Sequence, residues 1–390
     1  MYGLVLEGGG AKGAYHIGAY KAIMEEDIGI QGIAGTSVGA LNGALIAQED
    51  FGLAYDLWYN MSFSRVINAT DEEIERLKAG KFSKEDLALL REKVKGVITD
   101  RGLDITPLRN LVMETVNEEK IRNSGKDLKP LEIYIEDIPK GELGEFLLAS
   151  AYFPAFKREK IGGKSYIDGG IYNNLPVNLL SNKGYKDLIL IRTHGLGYTR
   201  KVNLDGLNTI TIAPNEELGR TLDFERDSSR YNLKLGYYDG KKALKNLKGF
   251  NYYIEPTKKD DYFMDYLWNL EEKKIVKLKK VFKIDESVPN RKALFEFINP
   301  KISSLLEVEK EENYEEIFYS LVEKLAVIYE VERFHIYNYG ELVDLIIEKI
   351  QLDEKKDLGT WDKLIDKVDI FSLFTKEEII KKVGQILLEK

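Results

Sequence analysis

The pentapeptide Gly35-Thr36-Ser37-Val38-Gly39 sets a serine between two glycines. A G-x-S-x-G spacing can hold a hydroxyl on a sharp strand-to-helix turn, presented for attack on an acyl carbon. The same small residues also read as close packing of a helix on a sheet. A serine hydroxyl is inert until a base takes its proton. The chain has three histidines, His16, His194 and His335, and no cysteine.

Asp168 is the second candidate base. It ends a short apolar alternation and precedes Gly169 and Gly170, which would let a carboxylate be brought against another backbone segment. A simple Asp–Gly hairpin turn is the alternative reading. Among the histidines, His194 is the rival, because it closes the apolar run DLILIRTH. Ser37, Asp168, His194 is also the chain order of an α/β-hydrolase triad. His16 reads as a packed helix residue, and His335 as structural or exposed.

The third element is EGGGAKGAY, with Gly8, Gly9, Gly10, Lys12 and Gly13. Gly8-x-Gly10-x-x-Gly13 fits a dinucleotide fingerprint, but that fold wants an acidic residue at the end of the second strand. Here the second strand runs into Gly35-Thr36-Ser37 instead. A glycine loop opening a helix can alternatively aim backbone N–H groups at a developing oxyanion. One such donor is worth on the order of 3 kcal/mol. A tight strand-to-helix turn with no chemistry is the plain alternative.

These residues need a scaffold that presents strand ends. YGLVLE (2–7), GIAG (32–35), LEIYIED (131–137), DLILIRTH (187–194) and TITIAP (209–214) read as strands. Residues 14–26 and 38–48 read as helices between them, and RDSSRYNLKLGYYDGKKAL begins another. This alternation predicts an α/β domain, with a mostly parallel sheet flanked by helices. We expect it to span 1–250, with a helical insertion at about 70–125 packed over a sheet edge. From 255 to 390 the chain reads as a helical C-terminal domain. Its last helix opens with a capping box, Thr375 and Glu378, and carries Ile379, Val383, Ile386 and Leu387 on one face. The segment FGLAYDLWYNMSF (51–63) is dense in aromatics. Core packing is its simpler reading, and lining an apolar groove or touching a membrane the other.

The net charge of −8 argues against nucleic acid as the main partner. Without cysteine, disulfides and thiolate metal sites are excluded, which suits a reducing cytoplasm. No signal-peptide pattern opens the chain and no uninterrupted apolar run is long enough to span a bilayer. The expectation is a cytoplasmic protein, peripheral at membranes if it meets them; export by a signal-independent route would look the same.

Taken together, GGGAKG, GTSVG and Asp168-Gly169-Gly170 resemble the ordered blocks of the patatin-like phospholipases. ASAYFPAF (149–156) and NNLP (173–176) are similar to further family segments. The resemblance covers about residues 1–215. It implies a patatin-like fold related to the α/β-hydrolases, with Ser37 as nucleophile and Asp168 as base of a dyad. It also implies an oxyanion hole in the loop of Gly8, Gly9, Gly10, Lys12 and Gly13, centred on Gly9 and Gly10. Lys12 stands where many members carry arginine, so the role of its side chain stays open.

The implied activity is hydrolysis of lipid acyl esters of phospholipase A type, through an acyl-enzyme, with a lipid or phospholipid substrate. No metal or other cofactor is called for, since no carboxylates are spaced like a calcium loop. Two alternatives stay open: a Ser-His-Asp esterase acting on small soluble esters, and a non-catalytic lipid- or protein-binding module. The helical region could dock over the site, form homo-oligomers or bind a regulator; the sequence does not choose.

Overall fold

The computed structural model describes residues 1–73, 102–130, 134–157, 160–161, 163–202, 204–257, 261–308, 314–354 and 375–389. The chain divides into two compact units, Met1–Lys245 and Asn246–Lys390.

In the first unit the strands are β1 (Tyr2–Leu6), β2 (Ile30–Gly35), β3 (Asp127–Pro130), β4 (Asp187–Ile191) and β5 (Asn208–Ile212). They form one sheet in the order β3-β2-β1-β4-β5, and every pairing is parallel. Parallel strands are covered on both faces, so they read as continuous apolar runs rather than alternations. YGLVL and DLILI are such runs, and Leu4, Val5, Leu6, Ile189 and Ile191 are all buried.

The strand expected at 131–137 falls earlier in the chain. Pairing occupies Asp127–Pro130, residues Ile135–Asp137 form a 3-10 turn, and 131–133 lie outside the described residues. The observed strand buries Leu128, Lys129 and Pro130, its lysine reaching the Leu179 carbonyl at 3.2 Å. Pro130 is tolerated because β3 is an edge strand, where a missing N–H breaks no ladder bond.

The helices that position the site are α1 (Ala14–Glu25), α2 (Val38–Ala47), α3 (Phe51–Tyr59), α4 (Thr106–Thr115), α5 (Leu143–Ser150) and α6 (Arg226–Lys245). α1 and α6 pack backbone to backbone: a Cβ on Gly18 would overlap the Leu233 carbonyl, and one on Gly236 the Tyr15 carbonyl. Of the expected helical insertion, α4 and a short helix at Glu118–Asn123 are described, and 74–101 lie outside the described residues. The Arg109–Glu145 ion pair ties α4 to α5.

The second unit has helices around a core that includes Leu278, Leu294, Val322, Leu325 and Val383. Its last helix, Lys376–Leu388, carries the expected capping box of Thr375 and Glu378. It is not wholly helical, because Tyr253–Glu255 pairs in parallel with Ile336–Asn338. Those strands are too short for period-2 patterning to register in the sequence. Buried Glu323 fastens the start of the unit, accepting the N–H groups of Phe250, Asn251 and Tyr252 at 2.8, 2.8 and 2.6 Å.

Candidate active site

Ser37 lies between the end of β2 and the start of α2, with φ 54° and ψ −124°. A non-glycine residue with positive φ is uncommon and stores strain of about 1–3 kcal/mol. The turn can be this sharp because of what flanks it. A Cβ on Gly39 would overlap the Leu6 carbonyl at the end of β1, and a Cβ on Gly35 would overlap the Gly39 backbone. The two glycines of G-x-S-x-G are therefore steric requirements for seating α2 against the strand ends.

Asp168 follows a two-stranded hairpin, Lys160–Ile161 with Lys164–Ser165, and caps the 3-10 turn Gly169–Ile171. It is thus not the hairpin turn itself. Its Oδ1 accepts the Gly170 N–H at 2.7 Å, and its Oδ2 accepts the Ser37 hydroxyl at 2.8 Å. The carboxylate is buried, and burial raises its pKa above the ordinary 3.8, opposed by the bonds from Gly170 and Ser37.

Three further bonds fix the Ser37 turn, one of them to the segment that follows Asp168. Thr36 donates its hydroxyl to the Asn173 carbonyl at 2.8 Å and its N–H to the Leu6 carbonyl at 3.2 Å. Ser37 donates its own N–H to the hydroxyl oxygen of fully buried Ser150, at 3.0 Å. Ser150 ends α5 and lies within ASAYFPAF, but the sequence offered no signal of what its hydroxyl does.

The glycine loop is pinned from several sides. Gly8 donates its N–H to the Asn174 carbonyl at 3.0 Å, Ala11 to the Thr221 carbonyl at 2.8 Å and Lys12 to the Gly9 carbonyl at 3.3 Å. Glu7, which is buried, accepts the N–H groups of Thr193 and His194 at 2.7 and 2.9 Å. Among the described residues, the N–H groups of Gly9 and Gly10 have no protein acceptor. Gly9 and Gly10 line the same cavity as Ser37 and Asp168, whereas Gly8, Lys12 and Gly13 do not. Lys12 instead donates its ammonium to the His194 carbonyl at 3.1 Å, and a Cβ on Gly13 would overlap Val38. Asn174 and Thr221 were not singled out as site residues from the sequence, since a backbone carbonyl acceptor leaves no mark on residue type.

The histidines stand elsewhere. His194 is exposed, has φ 47°, and makes no hydrogen bond to Ser37 or Asp168. His16 is buried beside Asn42, with Nδ1 at 3.2 Å from the amide, and desolvation lowers its pKa to about 3. His335 belongs to the second unit, near Glu341.

Beyond the polar mouth the cavity is walled by apolar side chains. Leu41 and Leu45 come from α2, Trp58 from α3, Leu108 and Val112 from α4, and Phe153 from the loop after α5. The aromatic segment 51–63 is divided between the cavity and a partly exposed helix face. Leu57, Trp58 and Met61 line the cavity, while Phe51, Tyr55 and Tyr59 stack along the helix away from it. Buried Trp58 also donates its indole N–H to Asn42 Oδ1 at 2.8 Å, and Asn42 in turn donates to the Gly13 carbonyl at 2.8 Å. Among the described residues no group of three or more metal-ligating side chains converges, and no helix is long and apolar enough to cross a membrane.

Comparison with known proteins places residues 4–181 in the patatin-like phospholipase model. The neuropathy target esterase sws of Drosophila melanogaster is 29% identical over 208 residues, covering 48% of this chain and 12% of that protein. The patatin-like phospholipase domain-containing protein 7 of Rattus norvegicus is 28% identical over 207 residues, covering 48% of this chain and 13% of its own length. The chain thus spans about an eighth of the length of these relatives. A crystal structure of VipD from Legionella pneumophila aligns with 99% of this chain and 90% of its own, at 14% identity and a TM-score of 0.36. The blocks GGGAKG, GTSVG and Asp168-Gly169-Gly170 thus fall within a stretch, residues 4–181, that matches the patatin-like phospholipase family model.

Proposed function

We infer that this protein hydrolyses acyl esters of lipids, with Ser37 as nucleophile and Asp168 as its base. The observation that carries the reading is the 2.8 Å bond from the Ser37 hydroxyl to Asp168 Oδ2, at the mouth of an apolar cavity. In the proposed cycle the acyl chain lies along Leu41, Leu45 and Val112, and the ester carbonyl carbon meets Ser37 Oγ. Oγ forms the new C–O bond as its proton passes to Asp168, and the carbonyl oxygen takes up negative charge. The N–H groups of Gly9 and Gly10 are the donors for that oxyanion. Collapse of the tetrahedral species breaks the ester C–O bond, and the leaving alcohol takes the proton from Asp168. Water then attacks the acyl-enzyme with Asp168 again as base, releasing the fatty acid and restoring Ser37.

Aspartate is a weak base in water. Desolvation makes this one a stronger base, and its fixed hydrogen bond to the nucleophile removes the cost of finding it. A histidine base finds no support, since both Asp168 oxygens are engaged by Gly170 and Ser37 and His194 is exposed.

The test is product analysis on defined phospholipids, with a fluorophosphonate probe for the serine. The reading requires released fatty acid and probe adducts on Ser37, both absent in Ser37→Ala. Folded protein that neither labels at Ser37 nor releases fatty acid would make this a binding module instead.

A further inference from the structure

Asp168 is flanked by side chains that stand in solvent. Ile167, Ile171 and Tyr172 are 47%, 49% and 49% exposed. A second loop carries Leu196 and Tyr198, 77% and 62% exposed. The two segments are bound to each other: Tyr198 donates its N–H to the Gly170 carbonyl at 2.8 Å, and Asn174 donates to the Tyr198 carbonyl at 2.7 Å. Arg200 reaches across as well, its Nε donating to the Tyr172 carbonyl at 3.3 Å and its guanidinium 3.5 Å from the Tyr172 ring centroid. The first segment carries Asp168, and Leu196 of the second lines the cavity at Ser37. The exposed side chains therefore lie on the two joined segments that supply Asp168 and Leu196 to the cavity.

Single exposed apolar residues need no explanation, but a group of them on two joined segments does. A second copy of the chain, another protein or a lipid surface could cover it. Two observations favour lipid. The rim is continuous with the apolar cavity through Leu196, so an acyl chain could pass from hydrocarbon to cavity without crossing water. The rim also mixes aliphatic side chains with tyrosines and the cations Arg200 and Lys201, in a chain whose net charge is −8. Tyrosine and arginine, apolar in body and polar at the tip, suit the headgroup layer, and cations suit anionic lipids.

We propose that Ile167, Ile171, Tyr172, Leu196 and Tyr198, with Arg200 and Lys201 beside them, form the face by which this protein sits on a phospholipid surface. The proposal rests on the lipid-hydrolase reading of the cavity, yet binding can be measured without turnover. The membrane-facing role weighed for residues 51–63 thereby moves to the rim around Asp168.

The experiment is co-sedimentation of the full chain carrying Ser37→Ala with phosphatidylcholine vesicles, with and without phosphatidylserine. Burying one exposed aliphatic or aromatic side chain is worth roughly a tenfold change in partition. Ile171→Ser combined with Tyr198→Ser should therefore weaken vesicle binding at least about tenfold. Arg200→Gln with Lys201→Gln should remove the preference for phosphatidylserine while sparing binding to phosphatidylcholine alone. Circular dichroism and melting temperature report that the variants are folded. Neither Ile171 nor Tyr198 lines the cavity, so with Ser37 restored their turnover of a soluble short-chain ester should match the parent.

Vesicle binding that is absent in the parent, or unchanged in the Ile171/Tyr198 variant, overturns the proposal. A change of oligomer size in that variant with vesicle binding unchanged assigns the rim to a second copy, which overturns it too. If the rim variant loses binding but the Ser37 protein cleaves no lipid, the rim stands and the hydrolase reading fails.

Discussion

The hydroxyl oxygen of Ser150 accepts the backbone N–H of Ser37 at 3.0 Å, across 113 residues of chain. The bond holds the strained turn by its backbone and leaves the Ser37 hydroxyl for the carboxylate of Asp168. Ser150→Ala would leave that N–H without its partner, at a cost of about 1–3 kcal/mol. We expect lower stability in denaturant titration, together with a fall in kcat smaller than that of Ser37→Ala.

The dyad and triad readings part at the level of single substitutions. Ser37→Ala and Asp168→Asn should each abolish lipid ester hydrolysis, whereas His194→Ala should retain most of it. Measured turnover of His194→Ala as low as that of Ser37→Ala would install histidine as the base.

The pH profile should carry the signature of a buried carboxylate. Burial raises the Asp168 pKa above 3.8, so kcat/KM should fall with acid at a pH higher than an exposed aspartate would give. The same shift has a stability sign. A pKa raised in the folded state stabilises below the unfolded value, and that contribution is lost as pH rises through the folded one. At neutral pH the ionised Asp168 is therefore destabilising, and Asp168→Asn should melt at a higher temperature than the parent while being inactive. The difference in melting temperature should vanish in acid.

Gly10 offers a steric prediction with an internal control. It has φ 58°, and a Cβ there would overlap the Thr221 carbonyl that accepts the Ala11 N–H. Gly10→Ala should cost more than about 1 kcal/mol and impair turnover through the displaced loop. Gly52, in the first turn of α3, has nothing within 4 Å of an added Cβ. Gly52→Ala should raise stability by about 0.5–1 kcal/mol, with turnover unchanged.

The cavity wall should set chain-length preference. Val112 is buried on α4 and lines the cavity. Val112→Phe should shift the ratio of kcat/KM for long over short acyl esters downward by tenfold or more, on the order of what a few methylenes are worth. Parallel assays on an ester series would register the shift, with overpacking costing about 1–3 kcal/mol of stability.

Much of this site could be read along the chain. The strand runs YGLVL and DLILI, the glycines around Ser37 and the pair Asp168-Gly169 are local patterns, and local patterns follow from sterics and periodicity. Asp127–Pro130 was missed because the neighbouring LEIYIED alternates more clearly, and alternation is a signal of one wet face that a doubly covered strand lacks. The tertiary structure decided what touches what. Only parallel pairing of β1 with β2 and β4 sets the glycine loop beside the Ser37 turn, and only the return of the chain from 168 to 174 brings a carboxylate to it. Sequence alone determined which groups could react. Which of them meet was decided by bonds spanning 113 and 131 residues, because residue type carries no record of a partner that distant.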